Sequence, residues 1–364
     1  MALQAVRGAV AHRTRFATLF PWTKTPLLVG APMRVFSGPE MAVAIYHAGG
    51  LGFIGPGVTA SVSKVDLATA SSLLADAQVA RTLENHKSMA HLLPVGIGFQ
   101  VWNGNLAEAI AAVSTHRPCA VWLFAPLDGQ KQLDDWTTEL RAASSDTQIW
   151  IQVGTLHEAV TAAHSKTPPD VLVLQGAEAG GHGRTSDGIG IISLLPEAAD
   201  TLAAAGIDIP LIGAGGIVDG RGAVAALGLG AAGVALGTRF LASTEARINP
   251  AYQAEVCRAT DGAQSTGRTH LYNQLRGTFG WPAQWSPRGL LNESWADYEA
   301  GAPFDVLKER HDAAVKQGGT AAWGPRGRTA TYASASIGLV RSVEGAATIV
   351  EQLHREIEEI KKLL

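Results

Sequence analysis

The chain has 364 residues, 46% of them hydrophobic and 17% charged, enough to bury a full core in one large domain with or without an appendage. The 29 basic residues stand against 32 acidic ones, a formal net charge of -3 that offers no whole-chain basic field to DNA or RNA. The two cysteines, Cys119 and Cys257, lie in no CxxC pair and near no metal-spaced histidine, so neither a disulfide framework nor a metal site is expected and a reducing compartment such as the cytoplasm fits.

Residues 1–39 carry Arg7, Arg13, Arg15, Lys24 and Arg34 and no acidic residue, which is one form of a mitochondrial presequence. An ordinary N-terminal extension over 1–24 is the plainer reading, because the stretch is short and poor in serine. From Leu27 onward, short runs of Val, Ile and Leu alternate with alanine-rich helical segments, the pattern of parallel strands joined by crossover helices. Strands are predicted at 27–30, 51–55, 93–97, 120–124, 148–152, 171–174, 209–212 and 233–236. Eight such units over 25–245 have the size of an α/β fold of the (β/α)8 TIM-barrel type, whose active sites lie at the C-terminal ends of the strands. A doubly wound open sheet is the main rival. It would want GxGxxG after the first strand, where the chain has Gly30, Ala31, Pro32 and Met33, and the glycines of GLGFIG at 50–55 read as a strand entered through a turn. The uncharged stretch between Arg221 and Arg239 is too rich in glycine for a membrane span.

Beyond Phe240 proline, tryptophan and glycine become frequent, as in GWPAQW at 280–285 and AAWGPRGR at 321–328. Residues 246–335 are therefore predicted as an appendage of helices and loops over one end of the barrel, and 336–364 as its closing segment. In that segment Ser342 is the expected N-cap of a last helix, with Ala346, Ile349, Val350, Leu353, Ile357 and Ile360 on one face and Lys361 and Lys362 at the C-terminal dipole end. Trp281, Trp285, Trp295 and Trp323 read equally as a lid, as the interface of a homodimer or as a small core of the appendage itself.

Chemistry concentrates at strand ends. The seventh and eighth strands run into Gly215 and Gly216 and into Gly237 and Thr238, where barrels commonly bind phosphate on backbone N–H groups that no side chain shields. Arg239 could add a charge there or form an ion pair on the outer helix. The sixth strand leads into QGAEAGGHGR at 175–184, whose glycines would let His182 project from a flexible loop as a proton acceptor with a pKa near neutrality. His47, His157, His164 and His270 read as ordinary histidines. Glu178 is expected to bond backbone N–H groups, and Gln175 to meet a bound ring or a neighbouring strand. Ala31, Pro32 and Met33 form an apolar, proline-stiffened floor. Together these features suit a phosphorylated, planar cofactor, a description FMN satisfies, although spacing alone does not separate FMN from a sugar phosphate. A flavin-free isomerase or aldolase would want a lysine or paired carboxylates at strand ends, and a barrel of the inosine phosphate dehydrogenase kind a cysteine within 175–190. The sequence has neither.

The segments APM at 31–33, AGGLGFIG at 48–55, VGIGF at 95–99, QVGTLHEA at 152–159, QGAEAGGHGR at 175–184 and the run from Ile209 to Ala246 resemble the nitronate monooxygenases over most of the chain. The resemblance implies an FMN-dependent barrel enzyme that oxidises alkyl nitronates, and neutral nitroalkanes where they are accepted, with O2 to a carbonyl compound and nitrite. By the same resemblance Ala31 to Met33 and Gly181 are flavin contacts, Gly215, Gly216, Gly237 and Thr238 cradle the FMN phosphate, and His182 is the catalytic base. Two segments depart from the family pattern. Gly96, Ile97 and Gly98 stand where GVN is common, which removes an asparagine contact that Gln100 is placed to replace. YASASIGLV at 332–340 has serines where glycine and glutamine are usual. The family also holds NAD(P)H-using reductases of unsaturated acyl thioesters, the first rival activity. A non-catalytic binding protein is the last.

Overall fold

The computed structural model describes residues 2–56, 60–75 and 91–364. Eight parallel strands close into a barrel: β1 (Leu27–Gly30), β2 (Leu51–Ile54), β3 (Leu93–Gln100), β4 (Pro118–Phe124), β5 (Gln148–Val153), β6 (Val171–Gln175), β8 (Leu211–Ala214) and β9 (Gly233–Leu236). β9 pairs back onto β1, with Leu27 opposite Gly233 and Gly30 opposite Leu236. The fold is the predicted (β/α)8 barrel. Its strands are continuous apolar runs because both faces are buried: Val29, Phe53, Trp122 and Trp150 pack inward while Leu28, Ile54, Val121 and Ile151 pack under the helices.

Several strand boundaries differ from expectation by one to three residues, and two of the differences have a structural reason or consequence. The seventh barrel strand starts at Leu211 instead of Ile209, because Pro210 has no N–H for the ladder and contributes only its carbonyl, which accepts from Leu172 N. β3 continues past Ile97 to Gln100 and so carries Gly98 and Gln100 to the C-terminal mouth.

The N-terminal segment forms a helix, Ala2–Leu19, laid across the opposite end of the barrel. Phe16 and Phe20 are fully buried, and each ring lies 6.2 Å from that of Trp150 in the barrel interior. Arg13 Nη2 fastens the helix by donating to the carbonyls of Leu227 and Ala231. Among the described residues no helix is long and apolar enough to cross a membrane, and both cysteines are free thiols.

Local sequence starts the outer helices: Asn105 accepts from Glu108 N, Thr155 from Glu158 N, and Asp219 from the N–H groups of Arg221 and Gly222. The last helix, Ala346–Leu363, packs against Pro39–His47 and Gly220–Gly228 in the eighth-helix position. Its N-cap is Gly345, not Ser342. The Ser342 hydroxyl is turned to Glu344, and the Ala346 N–H is met by the Glu245 carboxylate at 2.9 Å, an anion supplied by tertiary contact at the positive end of the helix.

A second layer over the mouth is built mostly from the chain between β9 and that helix, joined by a strand that follows β6. β10 (Thr266–Arg268), β11 (Trp285–Leu290) and β7 (Gly181–Arg184) form an antiparallel sheet in the order β10-β11-β7. Trp323 packs near Tyr252 and Val256, and Trp295 packs against the group of Leu271, Tyr272 and Leu307, so these two serve small cores of the appendage. Trp281 and Trp285 lie over the barrel mouth, where both approach Phe124.

Candidate active site

At the C-terminal ends of the strands a cavity of about 1120 Å³, its open mouth included, lies between barrel and appendage. Every residue singled out as a cofactor or catalytic candidate lines it, although the residues arrive from several different strand ends.

On one side are the two glycine turns. Gly215 and Gly216 follow β8 with φ of +95° and +74°, a left-handed pair that exposes successive backbone N–H groups. A Cβ at Gly215 would lie 2.8 Å from the Gly176 carbonyl oxygen, and one at Gly216 would lie 2.9 Å from Glu178 Cβ. Gly237 follows β9 and is the N-cap of the short turn of helix Thr238–Leu241; a Cβ there would meet nothing nearer than Met33 Sδ at 3.8 Å. The Thr238 hydroxyl accepts from Ser334 N at 3.1 Å. Arg239 is buried and spent on the Ser342 carbonyl and the Glu344 carboxylate, so the ion-pair reading holds.

The floor is Ala31, Pro32 and Met33. Gly98 allows this arrangement, because a Cβ on it would sit 2.4 Å from Pro32 Cβ. An asparagine at 98 would collide with the proline, and Gln100, two residues on along the same face of β3, lines the cavity instead. Gln175 Nε2 donates to the His182 carbonyl at 3.4 Å. Below it, Trp122 Nε1 donates to Gln152 Oε1 at 2.9 Å, a pair that local sequence pattern does not single out.

His182 does not sit on a flexible loop. It lies in β7 opposite Pro287, and its ring stacks on Trp281 with centroids 3.6 Å apart and planes 7° from parallel. Asn273 Nδ2 stands 3.1 Å from Nε2. The expectation of a pKa near neutrality is also corrected. Burial pushes the imidazole down to about 3, and Arg276, Arg268 and His270 add to it. Near neutral pH the ring is uncharged. Arg268, itself lowered to about 10 by burial, donates to the carbonyls of Ala177, Ala179, Gly181 and Ser286 and so ties the segment after β6 to the second sheet. Glu178 accepts from Ile191 N at the start of the helix Ile191–Ala204, the backbone role expected of it.

The appendage supplies the rest. Arg276 Nη1 donates to the Tyr332 hydroxyl at 2.7 Å, and Arg34 lies close enough for Arg276 to oppose its charge, so the rim is positive. Ser334 lines the cavity, and its hydroxyl is buried without a partner among the described residues. Neither Asn273 nor Trp281 was legible as a site residue, since nothing in the sequence pairs them with a histidine some 90 positions away. GWPAQW marked the appendage only by composition. Among the described residues no cluster of His, Cys, Asp and Glu could hold a metal ion.

Comparison with known proteins gives this cavity a family. A family profile described as nitronate monooxygenase matches residues 18–356. The chain is 59% identical over 336 residues to nitronate monooxygenase npaC of Metarhizium robertsii, covering 92% of each protein. It is 32% identical to a nitronate monooxygenase of Neurospora crassa, over 98% of this chain and 96% of that one. Among solved structures, nitroalkane oxidase from Streptomyces ansochromogenes superposes with a TM-score of 0.71 at 23% identity, covering 95% of this chain and 99% of the other. FabK from Thermotoga maritima gives 0.68 at 22% identity over 96% and 97%; at these identities the two structures establish the barrel fold alone. The matches over the full length of the barrel and its appendage establish that the chain belongs to the nitronate monooxygenase family of flavin-dependent oxidoreductases.

Proposed function

We propose that the chain binds FMN across the barrel mouth and oxidises alkyl nitronates with O2 to a carbonyl compound and nitrite. The observation that carries this reading is one cavity joining a backbone anion cradle, an apolar floor and an uncharged histidine under a positive rim. The cavity suits the cofactor in three respects. A Cβ at Gly181 would have no neighbour within 4 Å and one at Gly237 only a single distant one, so both leave backbone open to a ligand; Ser334 Oγ is a buried hydroxyl without a protein partner; and Ala31 to Met33 offer a flat apolar surface. Gly215, Gly216, Gly237 and Thr238 would hold the phosphate, with Gln100 and Gln175 at the ring.

When bound, FMN supplies the one-electron and O2 chemistry. The chain's own residues bind, orient and handle protons. Arg34 and Arg276 draw an anionic nitronate to the rim. Trp281 and Phe124 exclude water from one side, and His182 meets the nitronate as a neutral ring without adding charge of the same sign. For a neutral nitroalkane His182 would first take the proton next to the nitro group.

The visible spectrum of the purified protein, followed by anaerobic addition of an alkyl nitronate, tests the reading. Flavin bands that change on addition are expected. Bands that ignore nitronate and bleach with NADPH would transfer the chain to the acyl-thioester reductases, and a colourless protein that takes up no FMN would remove the cofactor.

A further inference from the structure

Asn273 lies on the helix Leu271–Leu275 of the appendage, is 4% exposed, and touches the cavity only through His182. Its amide nitrogen faces Nε2. An NH2 group only donates, so in this arrangement Nε2 is the acceptor and the neutral ring carries its proton on Nδ1. Nδ1 has no partner among the described residues and is not walled off, so it is the nitrogen open to a ligand in the cavity. In this state the ring presents a donor, suited to a nitronate oxygen, and no lone pair with which to take a proton from carbon. The amide oxygen, meanwhile, is buried without any hydrogen-bond partner among the described residues. A half-turn of the amide brings that oxygen to Nε2, where it would accept from Nε2–H and leave the Nδ1 lone pair free.

Resting on the assignment of His182 as the proton-handling group, we propose that Asn273 is its positioning residue and selects between nitronate and neutral nitroalkane. With nitrogen toward the ring, Nδ1–H serves the anion. With oxygen toward the ring, Nδ1 takes the proton from the carbon bearing the nitro group, the electron pair of the broken C–H bond passes into the nitro group, and Nε2–H stays on Asn273. Nothing is oxidised in that step. The groups facing the ring from every side are Arg268 and Arg276, the His270 ring, Tyr332 and Trp281. Among the described residues only Asn273 lies within hydrogen-bond distance of Nε2, which leaves to its amide the role of acceptor for the Nε2–H of a protonated ring.

Asn273→Asp gives a group that only accepts. It is expected to raise the ratio of kcat/KM for nitroalkane over nitronate by about tenfold and to move the acidic limb of the nitroalkane pH profile up by about one unit or more. Asn273→Leu is expected to lower that ratio. The histidine ring 15N shifts of the whole protein, with His182 assigned by its loss in His182→Gln, provide a readout apart from activity: a lone pair on Nε2 in the native chain, and Nε2–H in Asn273→Asp. If Asn273→Asp leaves the ratio, the limb and the tautomer of the native chain unchanged, the inference is overturned, whatever the fate of the leucine variant. If His182→Ala leaves turnover of both substrates intact, it is the assignment of His182 that fails.

Discussion

The two sides of the cavity are made differently. The barrel side works with backbone and small residues: glycine turns after β8 and β9, and the Ala31–Met33 floor, all within a few residues of strand ends. The appendage side brings Tyr332 to the lining and sets Asn273 and Trp281 against the His182 ring, all delivered by elements that do not belong to the barrel at all. On the proposed reading a cofactor phosphate would be met by the part of the molecule that depends least on side-chain identity, and the substrate by the part that depends most on it.

The largest expected effect lies where the two sides meet. His182→Ala should cut kcat/KM for a neutral nitroalkane by about 10²–10⁴-fold and that for preformed nitronate far less. Equal losses in steady-state assays with both substrates would remove its role as base and reduce it to a wall of the cavity.

At the far end of the barrel Phe16→Ala should cost about 3–5 kcal/mol in denaturant unfolding, because it opens a hole against Trp150, while activity per folded molecule stays unchanged. A variant that unfolds normally would mean that Ala2–Leu19 is not part of the core.

Within the cradle the two turns can be told apart. Gly216→Val forces a branched side chain into a left-handed φ beside Glu178 and should cost about 1–3 kcal/mol of stability. Gly237→Ala meets no protein atom closer than 3.8 Å and should leave the melting temperature alone while weakening FMN in a fluorescence titration. Similar melting losses in both would contradict a cradle with one structural turn and one ligand-facing turn.

A further effect is expected on acid stability. The His182 pKa is about 3 in the native chain and 6.5 when unfolded, and that of His354 is about 4. Between those values the unfolded chain binds more protons. Their contribution is therefore fully present above pH 6.5 and is lost as pH falls toward the native pKa values. The slope of unfolding free energy against pH between 6.5 and 4 should flatten in His182→Gln, and an unaltered slope would mean the ring stays solvated.

Much of the molecule is readable without coordinates, for definable reasons. Parallel strands buried on both faces leave apolar runs that stand out singly, so the barrel and its strand ends emerge from local pattern, and the residues at those ends converge because closure leaves them nowhere else to go. The departures from expectation have a different origin. The start of the seventh strand depends on a missing proline N–H, the cap of the last helix on a carboxylate a hundred positions away, and the state of His182 on a sheet that joins residue 182 to residues 285–290.

Local pattern was thus sufficient for the barrel, for the mouth that holds the candidate site and for the glycines that open it, because each follows from periodicity or from a residue type at a strand end. It took the packed molecule to place the N-terminal helix across the far end of the barrel, to hold His182 between Trp281 and Asn273, and to keep its ring uncharged. A pKa and a tautomer belong to a solvated neighbourhood, and that neighbourhood is assembled from segments whose spacing along the chain carries no trace of their meeting.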